Sequence, residues 1–331
     1  MSNSFFGPVD PAPDAGWVDA PPRKGFFTDT SVCIGCKACE VACKQWNDLP
    51  GDELRRGKGR SYDYTGALSA STWRHVRFVE TTTVVEGGGG YLPMLPAVSD
   101  APAADGDDAM PSLVDMAEGR AAWAPSSDDG GGEVLDRWVF MSDVCKHCSN
   151  AGCLDACPTG ALIRTEFETV IVQPDICNGC GYCVPSCPFG VINRDPYDGR
   201  AAKCTLCYDR LEDGMEPACA KACPTDAIQF GEWDELVDRA KGRVVALHER
   251  GVEGAYLYGA GDEPGSKLAG DLGAFFLLTE PPERFGLPAN ADSPIQENMP
   301  VATLAGLVAG AVAAAGTIAS FLLAHRRGRR S

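Results

Sequence analysis

The sequence predicts an α+β chain built of small cysteine-rich modules, short helices alternating with short strands, and closed by one C-terminal transmembrane helix. Three observations carry that expectation. All 16 cysteines of the 331-residue chain fall into four groups of four, with none left over. A Cys-Pro-turn-strand unit recurs after three of the groups. An uncharged apolar segment long enough to cross a bilayer as a helix lies just before the C-terminus.

Composition sets the frame. The chain is acidic, with 29 basic and 46 acidic residues and a formal charge of −17. Phosphate attraction needs clustered Lys and Arg, so a nucleic-acid partner is excluded. A hydrophobic fraction of 44% is that of ordinary globular proteins and excludes global disorder. Sixteen cysteines admit disulfides, zinc or iron–sulfur clusters, and spacing decides among them.

The first quartet is Cys33, Cys36, Cys39 and Cys43, written C-x2-C-x2-C-x3-C. The third, Cys177, Cys180, Cys183 and Cys187, has the same spacing and is followed by Pro188. This is the bacterial [4Fe–4S] pattern, in which the fourth cysteine serves the other cluster of a pair. Three cysteines at x2 spacing wrap three corners of one cubane in a short turn, and Gly35, Gly179 and Gly181 suit that turn because glycine accepts positive φ. Structural zinc uses two separated C-x2-C knuckles and leaves a third cysteine two residues later unexplained. The second quartet is Cys145, Cys148, Cys153 and Cys157, and the fourth is Cys204, Cys207, Cys219 and Cys223. Taken alone, these two also fit zinc. Disulfide scaffolds are mostly small secreted domains, and this chain is long enough to fold without them.

The repeat supports modules. Cys157 is followed by Pro-Thr-Gly-Ala-Leu, Cys187 by Pro-Phe-Gly-Val-Ile and Cys223 by Pro-Thr-Asp-Ala-Ile. Each reads as a helix end, a turn and a strand, and Thr169–Val172 reads as a strand leading into the third quartet. Cys43 departs, because Lys44-Gln45-Trp46 continues as a helix. These units resemble the two-cluster ferredoxin fold, whose two pseudo-symmetric halves exchange their fourth ligands.

The order of the quartets resembles the four-cluster ferredoxin-type subunits of molybdopterin oxidoreductases, and more narrowly the iron–sulfur beta subunit of respiratory formate dehydrogenase. The residues that carry the likeness are Cys33–Cys43 with Trp46-Asn47-Asp48, Cys177–Cys183, Lys203–Arg210, Glu216-Pro217-Ala218-Cys219, Gly251–Tyr258, Gly286-Leu287-Pro288 and the terminal apolar segment. The resemblance implies four [4Fe–4S] clusters with swapped ligands. Cluster A would take Cys33, Cys36, Cys39 and Cys223; cluster B, Cys43, Cys204, Cys207 and Cys219. Cluster C would take Cys145, Cys148, Cys153 and Cys187; cluster D, Cys157, Cys177, Cys180 and Cys183. It also implies that the first and fourth quartets lie together. The implied partners are a catalytic molybdopterin alpha subunit, which oxidises formate, and a membrane gamma subunit of cytochrome b type that passes electrons to quinone.

Along the chain, residues 1–25 read as an extended N-terminal arm with no signal-peptide pattern and no twin-arginine pair. Residues 26–83 and 200–231 read as the first ferredoxin-like module, and 136–199 as the second. Residues 84–135, with Gly87–Gly90 and Gly130–Gly132, read as an inserted surface loop. Residues 232–300 read as a helix and docking region. Trp233, Leu236, Val237, Ala240, Val244 and Leu247 form an amphipathic stripe over 232–250, which Gly251 can cap. Residues 301–324 read as the transmembrane helix, with Ala302, Gly306, Gly310 and Ala314 as a small-residue stripe, and 325–331 as a basic tail.

Arg326, Arg327, Arg329 and Arg330 follow the span, while Asp292 and Glu297 precede it. The positive-inside rule then puts the tail in the cytoplasm and the cluster modules outside, the competing topology being a tail anchor with the modules in the cytoplasm. The resemblance implies export on the twin-arginine signal of the catalytic partner. His147, between Cys145 and Cys148, reads either as a donor to a cluster sulfur or as a surface imidazole. His325 reads as an interfacial anchor, or as facing a haem or quinone in a partner. Lys37 and Lys203 adjoin ligands but read by default as solvated. No Ser-His-Asp arrangement, nucleotide loop or substrate pocket is evident, so the chain is expected to conduct electrons within an oxidoreductase complex without an active site of its own. The alternative machines are a membrane hydrogenase or another molybdopterin oxidoreductase, and the alternative class is a zinc-stabilised scaffold.

Overall fold

The computed structural model describes residues 15–51, 65–85, 133–260, 269–291 and 294–328. The bulk of the insertion read over 84–135 and most of the N-terminal arm lie outside them. The chain divides into a main unit, 1–79 with 138–331, and a second unit, 80–137. Of the second unit the structure describes only strand ends, which belong to β2 (Arg74–Val85) and β3 (Glu133–Val144). These two strands pair as a two-stranded sheet. Arg74–Val85 is rich in β-branched residues, as an extended segment should be.

The main unit is organised by a four-stranded sheet in the order β8-β1-β10-β9. β1 is Lys24–Asp29, β8 Ile228–Glu232, β9 Tyr256–Tyr258 and β10 Ala274–Leu278. β10 is central and reads Ala-Phe-Phe-Leu-Leu, buried at every position. A continuous apolar run of this kind suits a strand covered on both faces. β1 runs parallel to it, with Phe27 opposite Phe275 and their rings stacked at 5.4 Å between centroids.

The helix read over 232–250 is α5, Trp233–His248. It buries Leu236, Val237, Ala240 and Leu247, most of the stripe read from the sequence, and Gly251 beyond its end has φ 83°. Acidic Asp234 and Glu235 in its first turn complement the helix dipole. Leu236, Val237, Ala240 and Leu247 join Phe27, Tyr258, Phe275 and Phe276 in the largest apolar core.

The cysteine loops hang on short strands. The sheet pairs β1 antiparallel to β8, with Thr28 opposite Ile228 and the Asp29 N–H donating to Ala227 O at 2.8 Å. β1 leads into the first quartet and β8 leaves the fourth, so this register brings the two quartets together across the whole middle of the chain. α1 (Ala38–Trp46) packs against α4 (Ala218–Lys221), carrying the contact further. β4 (Leu162–Arg164) leaves the second quartet and pairs antiparallel with β5 (Val170–Val172), which enters the third. β6 (Asn193–Arg194) and β7 (Ala201–Ala202) close a hairpin between the third and fourth. The remaining short helices are α2 (Gly152–Asp155) and α3 (Tyr208–Glu212).

α6 spans Pro294–Gly328. Within it Val301–Leu322 has a mean hydropathy of 1.9 and is long and apolar enough to cross a membrane. None of that stretch is buried, and elsewhere along its length α6 touches α2. An exposed helical stretch that is apolar all round is compatible with a membrane anchor.

Candidate metal centres

The same turn recurs at every quartet. The residue before the second cysteine is left-handed each time: Gly35 (φ 67°), His147 (φ 43°), Gly179 (φ 72°) and Leu206 (φ 59°). Gly35 and Gly179 take the conformation the spacing requires of them. His147 and Leu206 adopt it at a cost in backbone strain, which persists only where the surroundings impose it. A second left-handed residue follows the fourth cysteine of three quartets, at Gly160, Gly190 and Asp226. Each N–H there donates back to the carbonyl of Cys157, Cys187 or Cys223. The first quartet breaks the pattern, as its sequence predicts, because α1 runs on through Cys43 to Trp46.

All 16 cysteines are free thiols. Burial pushes the Cys33 thiol up, with Cys223 and Cys36 beside it. Burial raises Cys43, whose neighbours are Cys219, Cys207 and Cys39, and raises Cys204, with Cys43, Cys145, Cys207 and Cys219 around it. Burial raises Cys148 well above the usual thiol range, among Cys145, Cys187 and Cys153. Cys183 is pushed up to about 11 by burial, with Cys177, Cys180 and Cys157 as neighbours. Cys39 is raised to about 12 by burial and faces Cys219; Cys153 is raised to about 12 by burial and has Cys183 among its neighbours. Cys39, Cys145, Cys204 and Cys219 share one apolar core, and Cys148, Cys153, Cys157, Cys177, Cys183 and Cys187 lie in or against another.

Such a donor set fits a cationic group. A buried thiol resists ionisation until a metal supplies the compensating charge. Among the described residues no three Cys, His, Asp or Glu side chains close up as a single bound ion demands. At the second quartet the cavity itself is visible. Cys145, Cys148, Cys153 and Cys187 line a space with Phe189 and Ile192.

Hydrogen-bond donors converge on the sulfurs. The Leu206 N–H reaches Cys204 Sγ at 3.3 Å, and the Ala201 N–H reaches Cys177 Sγ at 3.4 Å. Against a burial penalty, N–H groups of Leu162, Thr159 and Ala161, with the Thr159 hydroxyl, lower the Cys157 thiol. Donors of this kind favour the thiolate and tune whatever metal group it holds.

Two residues depart from the solvated default. Lys203 is 2% exposed, and its ammonium donates to the carbonyls of Val170 and Cys204. His147 is likewise buried, so the surface-imidazole reading fails; its Nδ1 accepts the Val170 N–H at 3.1 Å. Lys37 is half-buried and lies 3.4 Å from Glu40. His325 stacks on Phe321 at the exposed end of α6. Sequence reasoning missed Arg74 and Lys146 altogether. Both are buried beside cysteines, Arg74 within 3.1 Å of Cys219 Sγ and Lys146 paired with Asp143. Charged residues read as surface by default, and no local pattern marks these two.

Comparison with known proteins agrees with this chemistry. Two family profiles, each described as a 4Fe-4S dicluster domain, match residues 136–233 and 32–161. The protein is 36% identical over 260 residues to a formate dehydrogenase iron-sulfur subunit of Haemophilus influenzae, covering 78% of this chain and 65% of that one. It is 37% identical over 231 residues to the nitrate-inducible formate dehydrogenase iron-sulfur subunit of Escherichia coli, covering 70% and 61%. The chain therefore spans a little under two thirds of the length of these two relatives. A subunit of the anaerobic dimethyl sulfoxide reductase of Escherichia coli is 30% identical over 212 residues, covering 64% of this chain and 75% of that one. The chain belongs to the family of 4Fe-4S dicluster iron–sulfur subunits that includes these formate dehydrogenase and dimethyl sulfoxide reductase proteins.

Proposed function

We propose that this chain is the electron-transfer subunit of a membrane-bound formate dehydrogenase, carrying four [4Fe–4S] clusters between a catalytic molybdopterin alpha subunit and a quinone-reactive, cytochrome-type gamma subunit. The observation that carries the reading is the juxtaposition of cysteines from different quartets, first with fourth through the β1–β8 pairing and second with third in the cavity lined by Cys145, Cys148, Cys153 and Cys187. It supports the ligand sets A (Cys33, Cys36, Cys39, Cys223), B (Cys43, Cys204, Cys207, Cys219), C (Cys145, Cys148, Cys153, Cys187) and D (Cys157, Cys177, Cys180, Cys183). The recurrent left-handed turns support pseudo-symmetric halves within two ferredoxin-like modules, one of residues 26–83 with 200–231 and one of 136–199.

Each cluster, when bound, accepts and releases one electron without proton chemistry. The chain supplies the rest. Its thiols become the ligands, its backbone N–H groups stabilise their charge, and its apolar cores keep water from the interior sets. Cys204 of set B and Cys145 of set C lie in the same apolar core, which supports a path through both modules. Cys36 of set A and Cys180 of set D are exposed, and exposed Ile34 and Tyr182 flank them. Those two ends offer entry and exit points for redox partners.

Val301–Leu322 anchors the chain in the membrane as a single span. The four arginines beyond it support a cytoplasmic tail and modules on the outer side. A second reading, the iron–sulfur subunit of another molybdopterin reductase, draws support from the match to the dimethyl sulfoxide reductase subunit. The test purifies the intact complex from membranes through a tag on this chain and assays formate, hydrogen and dimethyl sulfoxide with quinone analogues. Formate-to-quinone turnover is expected. Turnover with sulfoxide or hydrogen alone would replace the first reading by the second or by a hydrogenase.

A further inference from the structure

We propose that Arg74 is a positioning residue that holds the cluster of Cys43, Cys204, Cys207 and Cys219 at a raised reduction potential. The inference rests on the reading that the four sets hold [4Fe–4S] clusters.

Arg74 opens β2 and is 1% exposed, among the largest fully buried side chains of the molecule. Its Nη2 donates to Cys219 Sγ at 3.1 Å. Its Nη1 donates to Ser142 O at 3.2 Å and lies 3.4 Å from Ser142 Oγ, which itself sits 3.2 Å from Cys39 Sγ. The guanidinium also stacks over the Phe26 ring at 4.7 Å. Two strands and an aromatic face therefore fix its orientation toward the junction of sets A and B.

A guanidinium stays protonated in proteins, so this is a permanent buried charge. Buried charges survive when they are paired. Lys146, the comparable buried cation at set C, has the Asp143 carboxylate. Among the described residues no carboxylate forms an ion pair with Arg74; its negative neighbours are the sulfurs of Cys219, Cys39 and Cys204. The charge arranged to balance it is that of the thiolates and the cluster they hold.

That arrangement has a redox consequence. Reduction adds one electron to the cluster and no proton, so the negative charge of the set grows by one. The electron comes from the upstream redox partner, or from dithionite in a titration. A fixed cation donating to a ligand sulfur in a low-dielectric interior stabilises the reduced set more than the oxidised one. Cys219 belongs to set B, so set B receives the direct bond, and set A feels the charge only through Ser142 and distance.

The experiment is an EPR-monitored redox titration of the anaerobically purified full chain as wild type, Arg74→Gln and Arg74→Lys, with iron measured in each. Arg74→Gln is expected to move the midpoint of one cluster to a more negative potential, and Arg74→Lys, which keeps the charge, to return it toward wild type. Four unmoved midpoints in Arg74→Gln with iron retained would overturn the proposal. Should Arg74→Gln lose a cluster, the wild-type protein decides. With 15N-arginine incorporated, pulsed EPR of the reduced protein is expected to show 15N coupling to one cluster that disappears in Arg74→Lys, and no such coupling would overturn it. Absence of iron from the wild type would instead overturn the cluster reading itself, so the two failures are distinct.

Discussion

The Val170 backbone N–H donates to Nδ1 of His147 at 3.1 Å, tying the strand that enters the third quartet to the turn inside the second. The bond places the imidazole proton on Nε2 and holds a left-handed non-glycine residue in place. His147→Ala removes the acceptor and leaves a buried N–H unpaired, a loss of about 1–3 kcal/mol. Denaturant unfolding of the holo protein measures the loss, and hydrogen exchange at Val170 should accelerate. Exchange at Val170 no faster than in wild type would show that the bond carries no weight.

The swapped ligand sets make a prediction that no sequence-adjacent grouping shares. Cys33→Ser and Cys223→Ser should perturb the same EPR signal, although they stand at opposite ends of the cysteine region. Cys43→Ser, in the same quartet as Cys33, should perturb a different one. If Cys33 and Cys43 alter one signal and Cys223 another, each quartet serves its own cluster.

Asp226 holds the left-handed position (φ 50°) that Gly160 and Gly190 hold in the sister turns, and its side chain is exposed. A non-glycine residue in that conformation costs about 1 kcal/mol, less for Asp than for most. Asp226→Gly should therefore raise Tm slightly, while Gly160→Ala and Gly190→Ala lower it. Thermal unfolding under anaerobic conditions reads all three, and a fall in Tm for Asp226→Gly would show that its side chain contributes more than its backbone costs.

Much of the site is legible in the sequence because cluster binding is local. The x2 and x3 spacings, the glycines at 35 and 179 and the Cys-Pro units translate directly into turns. The stripe of α5 and the apolar run of α6 are legible for the same reason, since each is a periodicity or a length. The sheet β8-β1-β10-β9 is not, because its partners are brought together from residues 24 and 278 by tertiary packing alone. The β-branched run of β2 is a strand signal, but its partner β3 lies beyond the insertion. Arg74, Lys146 and Lys203 are hidden by chemistry: a buried cation looks like any surface cation until its acceptors are placed around it.

Deletion of residues 301–331 from the chain expressed alone should move it from the membrane to the soluble fraction with its iron retained. An apolar helix of this length is what holds a single-pass protein in a bilayer. Persistence of the truncated chain in carbonate-washed membranes would mean that another surface binds the membrane.

The most direct measurement is the iron, zinc and acid-labile sulfide content of the anaerobically purified chain, taken with its visible spectrum. Four cubanes require about 16 iron and 16 sulfide per chain and an absorbance near about 400 nm that bleaches on reduction. Zinc in place of iron, or about half that iron, would contradict a four-cluster relay.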